Sequence, residues 1–393
     1  MSLVGIQNTG NDCYINSLLQ CLAVSPFIIK LFKRYEEEDA TLMEVIQTFE
    51  LGRFKAFEMA DEAKRILEEI PNLEQIEVKY LTKITKNIGD IFIYIALKEM
   101  IKKLKTAKSE GKKIVANSTF VFIARDILSG RDITHLLNGR QNDPHELFVF
   151  ILDSLHDSHS GSVGIAQVNP NNQNISEIQR LYLNDYKHRY ENDFSYLVRN
   201  PFFHVLNCVV CSACNHYSNT VSPYNSLCLS LPEQLSENIT IYDCFEQLFN
   251  AENIDYTCES CGNKQGNRMQ RQILSKPKTL VIILKKYVNR GPFQIKVNNM
   301  IAYPKKLNIQ NYYCSTDNGE YELYGIINHM GRTLNSGHYY SYIREPVREI
   351  ENLDETITYG DQWYECNDSH VGTIEEEKAI TSNNAYMLFY QLV

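Results

Sequence analysis

The chain has 393 residues, 44% of them hydrophobic and 22% charged, which is enough apolar material for one large domain or two ordinary ones. Its net charge of -9 argues against broad nucleic-acid binding and suits a partner with basic segments. No apolar run approaches the roughly 18 residues of a membrane-spanning helix, and the N-terminus lacks the pattern of a signal peptide. We therefore expect a monomer of the cytoplasm or the nucleus that binds neither nucleic acid nor membranes.

The first predicted helix begins at Cys13. Apolar residues follow at the i, i+3, i+4, i+7 spacing of one helical face, namely Ile15, Leu18, Leu19 and Leu22. A cysteine in the first turn of a helix lies near backbone N–H groups and the positive end of the helix dipole, both of which favour a thiolate. Cys13 is therefore a candidate nucleophile.

Asp12 directly precedes this cysteine, and a neighbouring carboxylate disfavours a second negative charge. Aspartate is also a preferred N-cap residue, because its side-chain oxygen accepts from the amides of the first turn. We expect the Asp12 carboxylate to cap the helix, with its charge partly offset by those backbone donors.

The remaining elements divide the chain into two halves of different character. Residues 13 to about 110 have apolar stripes beside Lys/Glu faces and few helix breakers, which predicts helices. From about residue 200, short β-branched and aromatic runs predict strands, among them "TLVIILKKYV", "YELYGIINHM" and "HYYSYIR". The pattern predicts an α+β chain.

Eleven cysteines without a secretory signal favour reduced thiols and metal ligands over disulfides. "CVVCSAC" carries Cys208, Cys211 and Cys214, and "CESC" carries Cys258 and Cys261. Two such knuckles about 45 residues apart are typical of a structural four-cysteine zinc site. From spacing alone, the three cysteines of the first knuckle compete for two ligand positions.

Three further stretches contain the other parts of a cysteine protease, which needs a base, a residue that orients it and a donor to the oxyanion. His338 lies in "SGHYYSYI", at the start of a predicted strand. Asn367 and Asp368 lie in "WYECND" and are candidates for orienting the imidazole. Asn8 approaches the same turn as Cys13 and is a candidate oxyanion donor.

Long motifs in collinear order resemble those of the ubiquitin-specific proteases. "VGIQNTGNDCYINSLLQCL" resembles the cysteine box of that family, and "YELYGIINHMGRTLNSGHYYSYIR" with "WYECNDSHV" resembles its histidine box. Between them, "GRQNDPHELFVFILDSLH" resembles the glutamine–aspartate box, and "CSACNHYSNTVSPYNSLCLSLPE" resembles the first zinc knuckle and the strand after it. The resemblance runs from residue 4 to about 391.

The resemblance implies a fold and a reaction. It implies one catalytic domain over 1–393, papain-like and α+β, shaped as a hand. Residues 1–160 are mainly a helical thumb, 200–270 are zinc-bearing β fingers, and 161–199 with 271–393 are mainly a β-rich palm. The implied partners are ubiquitin and ubiquitinated proteins, and the implied reaction is hydrolysis of the peptide or isopeptide bond after the C-terminal glycine of ubiquitin.

The same resemblance implies roles for individual residues at the reaction centre. Cys13 is then the nucleophile, and His338 is the general base and acid. Asn367 orients the imidazole, Asp368 at the next position supports catalysis, and Asn8 donates to the oxyanion.

Three positions are implied to bind substrate. Asp143 and Glu146 match acidic positions that receive the basic C-terminal tail of ubiquitin, and Tyr339 is a further candidate contact. Acidic residues also favour first helical turns, so Asp143 and Glu146 have a purely structural interpretation as well.

The spacing of the family also implies one structural zinc ion with four cysteine ligands, which leaves Cys208 as an additional thiol. The implied ligands are Cys211, Cys214, Cys258 and Cys261.

Some positions depart from the family pattern. Asp12 replaces a threonine, Pro144 replaces a small residue, and Lys286 with Tyr287 replaces an arginine and a phenylalanine. Three alternatives stay open: a catalytically silent relative that binds ubiquitin, a protease for another ubiquitin-like modifier such as SUMO, and a zinc-ribbon interaction protein.

Overall fold

The computed structural model describes residues 3–53, 55–131, 133, 135–166, 175–232, 239–290, 293–297, 300–315, 319–333 and 336–393. The helices, in chain order, are α1 (Cys13–Ala23), α2 (Pro26–Arg34), α3 (Glu36–Thr48), α4 (Ala56–Glu69), α5 (Gln75–Ser109), α6 (Ser118–Gly130), α7 (Pro144–His159), α8 (Glu177–Tyr190), α9 (Ile241–Phe249) and α10 (Glu376–Ile380). The strands are β1 (Gly5–Gln7), β2 (Ile114–Ala116), β3 (Phe203–Val210), β4 (Tyr217–Tyr224), β5 (Leu227–Ser230), β6 (Ile239–Thr240), β7 (Glu252–Asn253), β8 (Arg268–Ile273), β9 (Thr279–Lys285), β10 (Tyr287–Arg290), β11 (Phe293–Lys296), β12 (Ile301–Ala302), β13 (Lys306–Asn308), β14 (Glu320–Thr333), β15 (Ser336–Pro346), β16 (Tyr359–Asn367), β17 (His370–Ile374) and β18 (Ala385–Leu392).

The chain forms two compact units, each built from two stretches of sequence. The first unit contains residues 1–160 and 334–374, and the second contains 161–333 and 375–393. The predicted thumb, palm and finger boundaries within one domain stay a prediction.

Helix α1 is the central element of the first unit. Its residues from Cys13 to Leu22 are all buried, because it packs against α7 and against strands β15 and β16. Helix α1 is apolar on one face but is surrounded on all sides. On its other faces it carries small buried polar residues, such as Asn16 and Ser17. The amino end of this helix is therefore held rigidly by its surroundings.

The long helix α5 bends at Asn87, whose backbone leaves the helical region at φ -125° and ψ 25°. The Asn87 side chain donates to the carbonyl oxygen of Asp157 on α7 at 2.5 Å. Asp90, one turn after Asn87 on α5, pairs at 2.6 Å with Arg131, which follows α6. These bonds tie α5 to both neighbouring helices.

Strands β15, β16 and β17 form consecutive antiparallel pairs in the first unit. Ser341 of β15 lies opposite Cys366 of β16, and Asn367 of β16 lies opposite His370 of β17. This register brings the start of β15 beside the end of β16, where His338 and Asn367 lie. Strand β1 pairs in parallel with β2 and leads towards α1.

The second unit contains two principal sheets. In one, β9 lies between β5 and β18, and β18 pairs with β14; in the other the strand order is β4-β3-β8-β7. Strand β9 is the apolar run "TLVIILK", buried over its first six residues, as expected for a strand covered on both faces. Strand β3 ends one residue before Cys211.

The predicted α+β class is confirmed: helices α1–α7 lie before residue 160, and the strands longer than three residues lie after residue 200. Over the described ranges, no single helix is both long enough and apolar enough for a membrane span; α1 and α2 meet that criterion only when joined across a 67° bend.

Candidate functional site

Cys13 is the first residue of α1 and is 5% exposed. Asp12 occupies the N-cap position, as the sequence predicts, but its carboxylate makes no capping bond to the helix. It accepts instead from the hydroxyl of Thr9 at 2.6 Å and from the Thr9 amide at 3.4 Å. The predicted side-chain cap is therefore wrong. Its physical reason is the backbone at Asp12 (φ -88°, ψ 4°), which is not extended as in a usual N-cap.

His338 lies on β15 and is fixed from two sides. Its Nε2 is 2.7 Å from Oδ1 of Asn367 at the end of β16, and its side chain also hydrogen-bonds to Cys13. Because Asn367 presents an acceptor, Nε2 carries a proton and Nδ1 is the nitrogen that faces the thiol. The bonds to Cys13 and Asn367 raise the pKa of His338 to about 9 against the opposing effect of burial.

Asp368 follows β16 with a positive φ of 51° and holds two asparagines. Its Oδ2 accepts from the side-chain amide of Asn8 at 2.9 Å, and its Oδ1 accepts from Asn16 on α1 at 2.8 Å. The same Oδ2 lies 4.0 Å from Nε2 of His338, which is beyond a hydrogen bond. Asp368 therefore joins β16 to the amino end of α1.

Asn8 is held by its oxygen as well. Its Oδ1 accepts from the backbone N–H groups of Gly10 at 3.0 Å and Asp12 at 3.3 Å. Asn16 is supported in turn by the buried Asn117, whose side chain donates to it at 2.8 Å. This asparagine network fixes the turn before Cys13 and was not predicted from the sequence.

Gln141, also not singled out from the sequence, lies at the same site. Its Nε2 is 4.0 Å from Sγ of Cys13, and its Oε1 accepts from the backbone N–H of Gly337 at 2.8 Å. The sequence signal for it was the resemblance of "GRQNDPHELFVFILDSLH" to the glutamine–aspartate box, which was not carried over to a role for Gln141.

The two predicted acidic substrate contacts lie at the start of α7. Asp143 is the N-cap, and its Oδ1 accepts from the His145 amide at 2.8 Å. Glu146 lies in the first turn with its side chain 58% exposed, 3.9 Å from Nε2 of His135. Asp143 therefore has the structural role that a helix start requires, and Glu146 presents its carboxylate to solvent.

Tyr339 is fully buried at 0% exposure, directly after His338 on β15. Neighbouring residues of a strand point to opposite faces, so Tyr339 points away from the imidazole. Its predicted contact with substrate has no support in this arrangement.

Four cysteines form a compact cluster in the second unit: their sulfur atoms all lie within 4.8 Å of one another, and they are Cys211, Cys214, Cys258 and Cys261. The Sγ atoms of Cys211 and Cys261 are 3.6 Å apart, and those of Cys214 and Cys258 are 3.7 Å apart. These separations exceed the roughly 2.05 Å of a disulfide. They match the edge of about 3.8 Å that a tetrahedron with Zn–S bonds of about 2.3 Å requires. The cluster can hold a metal ion.

Backbone geometry prepares both knuckles for ligand binding. Asn215 after the first knuckle and Gly262 after the second have positive φ values of 55° and 73°, which close the two turns. Backbone N–H groups of Cys214 and Ala213 lower the pKa of Cys211 to about 6, which favours the thiolate that a metal needs. In the second knuckle the backbone N–H of Asn263 acts on Cys261 in the same way, but the neighbouring sulfurs and burial outweigh it and raise the pKa of Cys261. Cys208 lies outside the cluster, three residues earlier on β3.

Relatives of this chain share most of its length at low identity. A model of the ubiquitin carboxyl-terminal hydrolase family matches residues 4–390. Ubiquitin carboxyl-terminal hydrolase 4 of Saccharomyces cerevisiae is 24% identical over 99% of this chain and 39% of its own length. Probable ubiquitin carboxyl-terminal hydrolase 8 of Schizosaccharomyces pombe is 25% identical over 99% of this chain and 64% of its own. The chain therefore spans less than two thirds of the length of these relatives.

Solved structures share the fold. The SAGA DUB module containing Ubp8, Sgf11, Sus1 and Sgf73 bound to monoubiquitin matches with a TM-score of 0.63 and 21% identity, over 100% of this chain and 69% of the solved chain. A yeast SAGA DUB module matches with a TM-score of 0.64 and 20% identity, over 100% and 68% of the two chains. The chain therefore shares the fold of these solved chains. With the match over residues 4–390, the chain belongs to the ubiquitin carboxyl-terminal hydrolase family.

Proposed function

We propose that this protein is a cysteine-type deubiquitinase that hydrolyses the peptide or isopeptide bond after the C-terminal glycine of ubiquitin. The observation that carries this proposal is the arrangement of Cys13, His338 and Asn367. A thiol at the start of a buried helix hydrogen-bonds to an imidazole, and the imidazole is held at 2.7 Å by a side-chain carbonyl. Family membership supplies the substrate class.

In the proposed reaction, Cys13 and His338 form a thiolate and an imidazolium. The sulfur attacks the carbonyl carbon of the terminal glycine, and a C–S bond forms. His338 gives its proton to the leaving nitrogen as the C–N bond breaks, which leaves a thioester. Water then attacks the thioester, His338 takes a proton from it, and the C–S bond breaks to release the carboxylate.

Asn367 and Asn8 assist this chemistry without changing their protonation. Asn367 holds the ring so that Nδ1 faces the sulfur; an amide suffices because the ion pair needs alignment more than additional charge. Asn8 carries two N–H bonds on Nδ2, and its bond to Asp368 fixes the direction of the other. We propose that this second N–H donates to the oxyanion, with Asp368 holding Asn8 in place.

The start of α7 is the proposed contact for the basic tail of ubiquitin. Glu146 is exposed and acidic, and the net charge of -9 suits a basic peptide. Asp143 contributes charge at the same helix start while it caps α7. Substitution of Glu146 by glutamine is expected to raise KM for ubiquitin substrates.

The four-cysteine cluster is proposed to hold one structural zinc ion. The four cysteine sulfurs would fill the coordination of such an ion and leave no position for water or substrate, so the ion would stabilise the β3–β4 and β7–β8 region and take no part in the reaction. We also propose that the protein is a monomer in the cytoplasm or the nucleus, where cysteines stay reduced.

The test is incubation with ubiquitin that carries a C-terminal electrophile. We expect a covalent adduct in the unaltered protein and in Cys314→Ala, whose cysteine is exposed and lies outside the site, but none in Cys13→Ala. An adduct only with a probe made from another modifier, such as SUMO, would assign the protein to that modifier instead. A folded protein that forms no adduct with any probe would be a catalytically silent relative.

A further inference from the structure

Gln141 has no part in the mechanism described above, yet its side chain lies between the nucleophile and the strand that carries the base. Its Oε1 accepts from the Gly337 N–H at 2.8 Å, and its Nε2 lies 4.0 Å from the sulfur of Cys13. A backbone N–H can only donate, so this bond decides which way the amide points. The oxygen faces Gly337, and the NH₂ group faces the sulfur.

The backbone around Gln141 is fixed on both sides of the nucleophile. Asn11, two residues before Cys13, donates from its side chain to the carbonyl of Gly139 at 2.8 Å. Asn142 donates to the hydroxyl of Tyr14, one residue after Cys13, at 3.4 Å. The segment that carries Gln141 is therefore attached to the start of α1, and its amide reaches the sulfur from a defined position.

The charged and titratable groups around this sulfur come from three elements. His338 on β15 hydrogen-bonds to it, Asp12 directly precedes it, and Asp368 after β16 lies beyond the imidazole. Gln141 adds a neutral N–H donor to these groups. An N–H that points at sulfur favours the thiolate over the thiol. The oxygen of the same amide holds Gly337, which directly precedes His338.

We propose that Gln141 is a positioning residue of the catalytic centre: its amide donates to the Cys13 thiolate and restrains the Gly337–His338 backbone in register with it. The proposal rests on the proposed function, because it concerns the same nucleophile. It adds a connection from the segment before α7 to β15.

The test is the pH dependence of Cys13 alkylation by iodoacetamide, followed by mass spectrometry of the peptide that contains Cys13. Gln141→Leu removes donor and acceptor together. Gln141→Glu keeps an acceptor for Gly337 but puts a carboxylate oxygen against the sulfur. Arg140→Gln changes an exposed residue of the same segment and is the matched control. Thermal unfolding of each variant reports whether it is folded.

In Gln141→Leu we expect alkylation at pH 7 to slow about 3- to 10-fold, and the midpoint of the pH–rate profile to rise by about half to one pH unit. Gln141→Glu should shift the midpoint further, and Arg140→Gln should match the unaltered protein. An unchanged profile in Gln141→Leu, or equal shifts in all three variants, would overturn the proposal. Loss of folded structure in both Gln141 variants would also overturn it, since the role would then be structural.

Iodoacetamide requires no ubiquitin, so this result is independent of the substrate. If the Gln141 variants shift the profile while the protein captures no ubiquitin electrophile, the substrate assignment fails and the positioning role stands. If ubiquitin is captured and the profile does not shift, only the positioning role fails.

Discussion

Asn8 donates its side-chain N–H to Asp368 at 2.9 Å, across 360 residues of sequence. The same carboxylate accepts from Asn16 at 2.8 Å and stays 4.0 Å from the imidazole of His338. The stronger interactions of Asp368 are therefore with the asparagines around the start of α1. Asn367, at 2.7 Å, is the partner of the histidine. Two adjacent residues thus have different partners: Asn367 holds the imidazole, and Asp368 holds the asparagines around the start of α1.

Asp368→Asn is expected to lower kcat for ubiquitin hydrolysis about 10-fold, with a smaller change in KM. The new asparagine has an NH₂ group in place of one acceptor oxygen, and this group faces the NH₂ of either Asn8 or Asn16. Loss of one charge-assisted hydrogen bond is worth about a factor of 10 in rate. Steady-state kinetics with a fluorogenic ubiquitin substrate measures it.

Asp361→Asn on β16 is the control for this change, because its side chain is 98% exposed and its substitution should leave kcat unaltered. The result would contradict this role for Asp368 if the alkaline limb of the pH profile moved far in Asp368→Asn while kcat at the optimum pH stayed unchanged. Asp368 would then act on the imidazole of His338.

Asn367→Ala is expected to narrow the active pH range at its alkaline end. In the unaltered protein the pKa of His338 is raised to about 9, so the imidazolium that protonates the leaving nitrogen persists up to that pH and is lost above it. Removal of the Asn367 bond takes away one interaction that raises this pKa. The alkaline limb of kcat/KM, measured from pH 6 to 10, should move to lower pH, and kcat should fall roughly 10- to 100-fold because the ring is no longer oriented. An alkaline limb that stays in place would show that the Asn367 bond does not set the pKa of His338 in the enzyme.

The zinc content of two cysteine variants distinguishes the four cysteines of the cluster from Cys208. Cys258→Ser is expected to reduce bound zinc from about one equivalent to below half, and to lower the unfolding temperature, since metal binding contributes directly to folding. Cys208→Ser should retain the metal, because Cys208 lies outside the cluster. Metal analysis of purified protein gives both numbers. Equal loss of zinc in the two variants would mean that Cys208 is a ligand.

Periodicity and local composition were sufficient to predict much of the fold. The apolar stripe after Cys13 predicted α1, and the β-branched run at 279–285 predicted β9. Both signals are local, because a helix face and a buried strand each repeat over a few residues. The start of β15 and the end of β16 also followed from local patterns, which made His338, Asn367 and Asp368 candidates. The choice of Asn367 as the residue that orients His338 came from the resemblance to the ubiquitin-specific proteases.

Features that depend on side-chain direction or on distant partners were not predicted. The Asp12 carboxylate turns back to Thr9 because of one backbone angle, which composition does not reveal. Gln141 meets Cys13 across 128 residues, and Asn117 meets Asn16 across 101. Such pairs become visible only when the packing of α1 against α7 and its neighbours is known.

His204 on β3 makes the stability of the second unit dependent on pH. Its side chain is buried among the rings of Tyr182, Tyr186 and Tyr190, at centroid distances of 5.2, 5.8 and 5.7 Å. Burial lowers its pKa to about 4, below the ordinary 6.5 that it regains on unfolding. Between these values the unfolded chain binds more protons, so the free energy of unfolding falls as pH drops below about 6.5. The loss approaches about 3 kcal/mol near pH 4.

His204→Gln should remove this contribution, so urea unfolding from pH 7.5 to 4.5 should show a shallower loss of stability than in the unaltered protein. His188→Gln, at an exposed position of α8, should keep the full slope. The four-cysteine cluster and the carboxylates contribute equally to all three proteins, so the difference between slopes isolates the buried imidazole. Identical slopes in His204→Gln and the unaltered protein would mean that the ring gains a proton without cost inside the tyrosine cluster.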